Sequence, residues 1–195
     1  MDLIKVYDNA LDRDTCELLI QAFDNQPNKN PGVTRGGVDP TIKNTTDFSL
    51  NLSALQNPEW QQLDGVLYST LNRYLLKYVD DIIELDDQYT WDADINDTGF
   101  LIQKYGKNDG FYAYHNDFSV TIEENKIFYR QLVYLFYLND VIDGGETQIW
   151  SHYKVKPKMG SLLFFPASWT YPHRGCMPIS NDKYIATGWF YAEYK

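Results

Sequence analysis

The period of hydrophobic and polar positions changes near the middle of the chain. Ile4 to Tyr7 form a short extended run. Asp12 then offers a helix cap, and Cys16, Leu19, Ile20 and Phe23 recur at helical spacing behind it. A second helix is predicted from Asn57-Pro58, with Asn as cap and Pro in the first turn. Its stripe runs through Trp60, Leu63, Leu67, Leu71, Tyr74, Leu75 and Tyr78, and is expected to pack across a sheet. Between the helices, residues 25–47 are rich in Pro, Gly, Asn and Thr and read as a long loop or irregular hairpin, of the kind that serves as a lid or stays disordered. After Gly99 the pattern shortens to β-branched and aromatic runs, predicting strands over 100–105, 111–119, 130–138, 147–150, 161–165 and 183–191. Asp143-Gly144-Gly145 and Pro157-Lys158-Met159-Gly160 are turn signals between them. Short strands at this spacing point to a sandwich or barrel with the helices packed outside, and no internal repeat is visible. A single domain is expected, with residues 1–98 as helical support and loop region and 99–195 as the strand-rich core.

Composition adds exclusions. At 195 residues, 44% hydrophobic and 23% charged, the chain is long enough and apolar enough to bury a core. Its 16 Tyr, 10 Phe and 5 Trp favour wide, half-buried sheet faces over an all-helical bundle. A net charge of -10 repels polyanions, so neither nucleic acid nor an anionic membrane surface is an expected partner. No stretch approaches the roughly 20 apolar residues of a membrane span, and Met1-Asp2-Leu3-Ile4-Lys5 lacks a basic segment leading into an apolar run. The expectation is a soluble, cytoplasmic protein. Cys16 and Cys176 are too few for a disulfide framework and are expected to be free thiols. Eight acids between Asp80 and Asp97 lack the turn glycine of a calcium loop and read as a solvated acidic surface.

Three histidines carry the candidate chemistry. His115 and Asp117 are two apart in a predicted strand, on one face with Phe111 and Ala113, and that face is expected to look inward. A buried His-Asp pair is either a structural hydrogen bond or two ligands of a cation, since an isolated buried charge costs several kcal/mol, roughly. His173 completes two imidazoles and a carboxylate if its strand lies beside the first. Such a set serves open-sided Fe(II) oxygenase sites and hydrolytic zinc alike. Lys183 heads a strand whose same-face residues are Ile185, Thr187 and Trp189; it either snorkels to water at the strand end or anchors an anion inside. His152, Glu146 and Cys176 read as structural: a solvated histidine, a turn carboxylate and a packed thiol.

The string His115-Asn116-Asp117, Gly144-Gly145-Glu146-Thr147, His173-Arg174-Gly175-Cys176-Met177-Pro178 and Lys183-Tyr184-Ile185-Ala186-Thr187-Gly188-Trp189 closely resembles the 2-oxoglutarate/Fe(II)-dependent dioxygenases of the prolyl 4-hydroxylase type. The resemblance covers roughly residues 100 to 193, with a weaker echo in Val6-Tyr7-Asp8-Asn9-Ala10-Leu11. It implies a mainly β (α+β) fold: a double-stranded β-helix, or jelly-roll, with amino-terminal helices packed outside. Carried over by position, it implies that His115, Asp117 and His173 ligate Fe(II) and that Lys183 pairs with the distal carboxylate of 2-oxoglutarate. Tyr137, Tyr105 and Thr187 would stand around the co-substrate; Tyr112, Arg130 and Trp189 would meet the peptide. Tyr112 and Arg130 fall on the wrong strand parity relative to His115 and Tyr137, a conflict that a bulge or a strand-end position would remove.

The implied reaction uses O2 and 2-oxoglutarate, releases succinate and CO2, and hydroxylates a prolyl residue in a peptide or protein, with ascorbate as an accessory reductant. Two departures bear on the substrate. Tyr191 stands where some collagen-type relatives have histidine, and residues 25–47 match none of their substrate-covering loops. The same chemistry on another side chain or a small molecule, and a non-catalytic jelly-roll binding module, are the competing readings.

Overall fold

Both helices start at their predicted caps in the computed structural model, which describes residues 3–84 and 95–194. Asp12 accepts a hydrogen bond from the Thr15 amide and opens α1 (Arg13–Asp24). Asn57 accepts from the Glu59 amide and opens α2 (Pro58–Ile83), with Pro58 in the first turn, where its missing N–H has no intrahelical partner to lose. Cys16, Leu19, Ala22 and Phe23 of α1, and Trp60, Leu63, Leu67, Leu71 and Tyr78 of α2, are buried, while Tyr74 and Leu75 flank the stripe half-buried.

The strands are β1 (Lys5–Tyr7), β2 (Asn30–Pro31), β3 (Val33–Thr34), β4 (Gly37–Val38), β5 (Lys43–Asn44), β6 (Thr46–Ser49), β7 (Ile95–Asp97), β8 (Leu101–Tyr105), β9 (Phe111–His115), β10 (Val120–Glu123), β11 (Lys126–Tyr137), β12 (Thr147–Ile149), β13 (Tyr153–Val155), β14 (Leu162–Pro166), β15 (His173–Gly175) and β16 (Lys183–Glu193). Among the described residues the larger sheet runs β1-β14-β11-β16-β8-β6-β2, with β10 added to β11 and β7 to β16. The smaller runs β13-β12-β15-β9-β5, and β3 with β4 forms a separate hairpin. Every pairing between these strands is antiparallel.

Strand alternation sorts the core into two layers. On β11, Leu132, Tyr134 and Phe136 pack with the helices, whereas Val133, Leu135 and Tyr137 pack toward Ile149 and Val155 of the smaller sheet. On β16, Tyr184, Ala186 and Phe190 face the helices and Ile185 faces the smaller sheet. The architecture is therefore a jelly-roll of two sheets with the helices on the outer face of the larger one. Gly188 is required at its position: a Cβ there would overlap Tyr134 Oη and the Gly99 carbonyl oxygen.

Several sequence expectations change in detail. Residues 25–47 are an irregular hairpin more than a loop, and the segment touches both sheets, because β5 pairs with β9 and β6 with β8. The strand predicted over 111–119 ends at His115, so Asp117 lies beyond it. Strands β10, β13 and β15 escaped the sequence pattern; each is three or four residues long, too short for an alternation to register. Residues 85–94 of the acidic stretch lie outside the described residues. Among the described residues no helix is long and apolar enough to cross a membrane.

Candidate active site

Antiparallel pairing of β9 with β15 sets His115 directly opposite His173, with ring centroids 4.2 Å apart. Asp117 follows two residues after His115. Its Oδ1 lies 3.7 Å from His115 Nε2 and its Oδ2 3.4 Å from His173 Nε2. Each imidazole donates through Nδ1 to a backbone carbonyl, His115 to Ala113 at 2.8 Å and His173 to Tyr171 at 3.0 Å. A carbonyl can only accept, so both Nε2 atoms are free to present lone pairs to the centre. One ligand atom from each of the three residues lies within 4.8 Å of the others. Two imidazole lone pairs and a carboxylate converging in this way fit a divalent cation with open coordination positions.

Protonation favours the same use. Burial, and after it the neighbouring His173, push the pKa of His115 down to about 4, leaving the imidazole neutral near pH 7. Burial alone would raise Asp117, but the facing imidazoles, His173 first and then His115, favour its ionised form and hold the carboxyl well below the ordinary range. The Trp189 indole N–H adds to that lowering, although no well-formed hydrogen bond joins it to the carboxylate. Neutral imidazole and ionised carboxylate are the forms a metal needs.

The triad opens into a cavity of about 680 Å³ between the sheets. Lys183, 1% exposed, projects into it from the larger sheet, across from His115 and His173 on the smaller one. Its Nζ sits 4.7 Å from the Tyr105 ring centroid and 5.7 Å from that of Tyr137, with no carboxylate paired to it among the described residues. Burial lowers its pKa to about 8. A buried ammonium held only by aromatic faces beside a cavity is a site for an anion.

The comparisons with known proteins agree with this geometry. Residues 100–191 match the family model described as the 2OG-Fe(II) oxygenase superfamily. This segment belongs to that superfamily. Membership brings Fe(II) and 2-oxoglutarate as metal and co-substrate, and the converging donors together with the buried ammonium fit both. Among curated proteins no significant match is found. Similar solved structures include the viral collagen prolyl hydroxylase of Paramecium Bursaria Chlorella virus-1 in its 2-oxoglutarate complex, at TM-score 0.68 and 18% identity over 98% of this chain and 97% of that one. A Pseudomonas putida prolyl-4-hydroxylase follows at TM-score 0.64 and 19% identity over 96% and 91%. A Trichoplax adhaerens prolyl hydroxylase, complexed with a hypoxia inducible factor peptide fragment, gives 0.65 and 18% over 96% and 82%.

Within the oxygenase fold, two bulges govern which side chains reach the cavity. His173 pairs with His115 but Gly175 with Tyr112, so β9 carries an extra residue between them. Tyr112 therefore turns to the cavity side and stacks on His115 at 3.6 Å, correcting the expectation that Phe111 and Ala113 share that face. On β11, Arg130 pairs with Tyr191 and Leu132 with Phe190, leaving Gln131 as the extra residue. Arg130 thereby joins the face of Val133 and Tyr137, its guanidinium 3.7 Å over the Trp189 ring. Both parity conflicts in the sequence disappear at these bulges.

The remaining positions are distinct. Tyr105 and Thr187 line the cavity; Thr187 donates to the Tyr134 carbonyl at 2.8 Å. Tyr137 lies behind the wall, donating to Thr147 Oγ1 at 2.7 Å, and it is Thr147 that reaches the cavity. His152 is exposed and stacked with Trp150, away from the triad.

Sequence reasoning missed a buried polar network beside the triad. Lys43 Nζ pairs with Asp47 Oδ2 at 2.7 Å, and Gln103 Nε2 donates to the same oxygen at 3.0 Å. Lys43 also lies 5.3 Å from the Tyr112 ring that stacks on His115. Gln103 was visible in principle, two residues before Tyr105 on one strand face. Lys43 and Asp47 gave no signal inside a segment that reads as loop.

Proposed function

We propose that the chain hydroxylates a prolyl residue in a peptide or protein. The observation that carries the site is the buried Lys183, without a paired carboxylate among the described residues, facing the His115, Asp117 and His173 cluster across one cavity. His115, Asp117 and His173 would hold Fe(II). With 2-oxoglutarate and O2 bound, that centre supplies oxidation of an unactivated C–H bond to an alcohol, with succinate and CO2 as co-products. Lys183 would fix the distal carboxylate of the co-substrate by a charge-assisted bond, while Thr147 and Tyr105 offer hydroxyls in the wall and Tyr137 orients Thr147. Thr187, bonded to the Tyr134 carbonyl, would hold the β16 wall of the co-substrate cavity. Tyr112, Arg130 and Trp189 would border the substrate and keep water from the reacting carbon.

A polypeptide substrate is supported by a second groove of about 390 Å³ that shares Ser119 and Arg130 with the main cavity, giving an extended path past the triad. Proline as the modified residue is supported by the fold shared with the prolyl hydroxylases. Ascorbate is proposed as the reductant that keeps the metal ferrous, and a reducing, cytoplasmic setting is supported by the free thiols of Cys16 and Cys176. Residues 1–98 and 99–195 are proposed to act as one domain, since β1, β2 and β6 complete the larger sheet.

Anaerobic addition of Fe(II) and then 2-oxoglutarate is expected to produce the weak visible charge-transfer band of a chelated keto acid, absent in His173→Ala. Incubation in air with proline-containing peptides should then add one oxygen atom, read by mass spectrometry. Full Fe(II) loading with neither band nor calorimetric 2-oxoglutarate binding would refute the reading.

A further inference from the structure

Charge inside the cavity does not balance in a chain of net charge -10. Lys43 is neutralised by Asp47. Under the proposed function, Lys183 is neutralised by the distal carboxylate of 2-oxoglutarate, and the divalent metal by Asp117 with the other co-substrate carboxylate. Arg174 is turned to Gln148 Oε1 at 2.9 Å and to the Tyr114 ring. Two cations remain. Arg35 lies in the turn between β3 and β4, and Arg130 at the bulge of β11; both line the cavity, and neither pairs with a carboxylate among the described residues.

Arg35 reaches across from its hairpin, with Nη2 3.4 Å from the Phe118 carbonyl and 3.5 Å from Ser119 Oγ. Ser119 also borders the groove shared with Arg130, so the two guanidiniums approach the same junction from opposite hairpins. Burial pulls Arg130 below its ordinary pKa, the attraction of Asp117 opposes that, and the Arg35 charge adds a smaller lowering. Like charges held over one opening repel, and an anion between them relieves that repulsion. The second groove, by contrast, carries Asp97 and Glu123 beyond Arg130.

We propose that the substrate is a peptide bearing an aspartate or glutamate close to the hydroxylated residue, on one side of it only, and that Arg35 and Arg130 bind that carboxylate at the cavity mouth. Planar guanidinium forks match a carboxylate. The Asp97 and Glu123 end of the groove disfavours the same charge on the other side. The inference rests on the oxygenase reading, since the metal and 2-oxoglutarate enter the charge count.

The test uses the full chain loaded with Mn(II) and 2-oxoglutarate, which binds without turnover. Calorimetric 2-oxoglutarate binding is measured first. Fluorescence anisotropy then follows labelled proline peptides with Glu, Gln or Lys placed in turn on each side of the proline. One side is expected to prefer Glu over Gln by about tenfold, the scale of one partly buried charge-assisted pair. Arg35→Gln and Arg130→Gln should each remove most of that preference, and Arg35→Glu should reverse it toward Lys. Lys154→Gln, exposed and outside the cavity wall, should retain it. Equal affinity for Glu and Gln peptides, a preference equal on both sides, or one that survives both arginine variants overturns the inference while the oxygenase reading stands. A protein that binds no 2-oxoglutarate overturns both.

Discussion

Lys183 and Lys43 are both buried, and their opposite circumstances predict opposite phenotypes. Lys183 lies against aromatic faces with no carboxylate paired to it among the described residues, so removing its charge relieves an unpaired ion rather than creating one. Lys183→Met is expected to fold at least as stably as the wild type, to bind metal as before and to bind 2-oxoglutarate at least 100-fold more weakly, the scale of a lost buried charge-assisted bond of roughly 3 kcal/mol; calorimetry reads this directly. The wild-type pH profile has a definite sign. With the ammonium's pKa lowered to about 8, it is charged below that pH and 2-oxoglutarate affinity is level there. Above it the amine is neutral in the empty site, and affinity falls by about tenfold per pH unit. The empty fold runs the other way. The unfolded chain keeps this proton to higher pH, so stability rises with pH above about 8 until the unfolded lysine also deprotonates. Lys43 is instead bound to Asp47 at 2.7 Å, so Lys43→Met strands a buried carboxylate. It is expected to destabilise by roughly 3–5 kcal/mol in urea melts, with Lys43→Met/Asp47→Leu recovering much of the loss. The triad and Lys183 were legible in the sequence through the family resemblance that their order carries, since the residue types alone left a structural His-Asp pair and a lysine reaching water open. Lys43 and Asp47 were not, since nothing in a Pro- and Gly-rich run says that its ion pair is buried.

At the scale of elements, one strand face serves the helices and the other serves chemistry. Leu67 of α2 is fully buried among the helix-side residues of the larger sheet, with β11 and β16 between it and the cavity. Leu67→Ala is expected to cost about 2–5 kcal/mol by urea denaturation while leaving the dissociation constant for 2-oxoglutarate within twofold. A large loss of co-substrate affinity at full folding would show that the two faces are coupled. Helix positions were legible from caps and stripes because these are local signals. Bulges were legible only as a contradiction: Tyr112 and Arg130 sat on the wrong parity, and the extra residues on β9 and β11 resolve it. The pairing of residues 43–49 with both sheets was beyond the sequence, because two- and four-residue strands owe their existence to partners far along the chain.

Over the whole molecule, the site divides between the sheets. His115 and His173 belong to the smaller sheet, and Lys183 with Thr187 to the larger. A metal alone would cross-link two strands of one sheet and the turn carrying Asp117. A co-substrate that reaches from the metal to Lys183 would tie the two sheets together. Ligands that bind only the folded chain stabilise it by about 2.7 kcal/mol at a hundredfold excess over their dissociation constant. Thermal melts are therefore expected to rise in two steps: once when Mn(II) is added to chelator-treated protein, and again when 2-oxoglutarate follows. Without metal, 2-oxoglutarate should shift the melt little, since one of its two anchors is missing. In Lys183→Met the metal step should survive and the co-substrate step should vanish. In His173→Ala the metal step should be lost, and the co-substrate step with it. A co-substrate step of undiminished size in Lys183→Met would mean that 2-oxoglutarate is held on the smaller sheet alone, and the division of labour between the sheets would have to be redrawn.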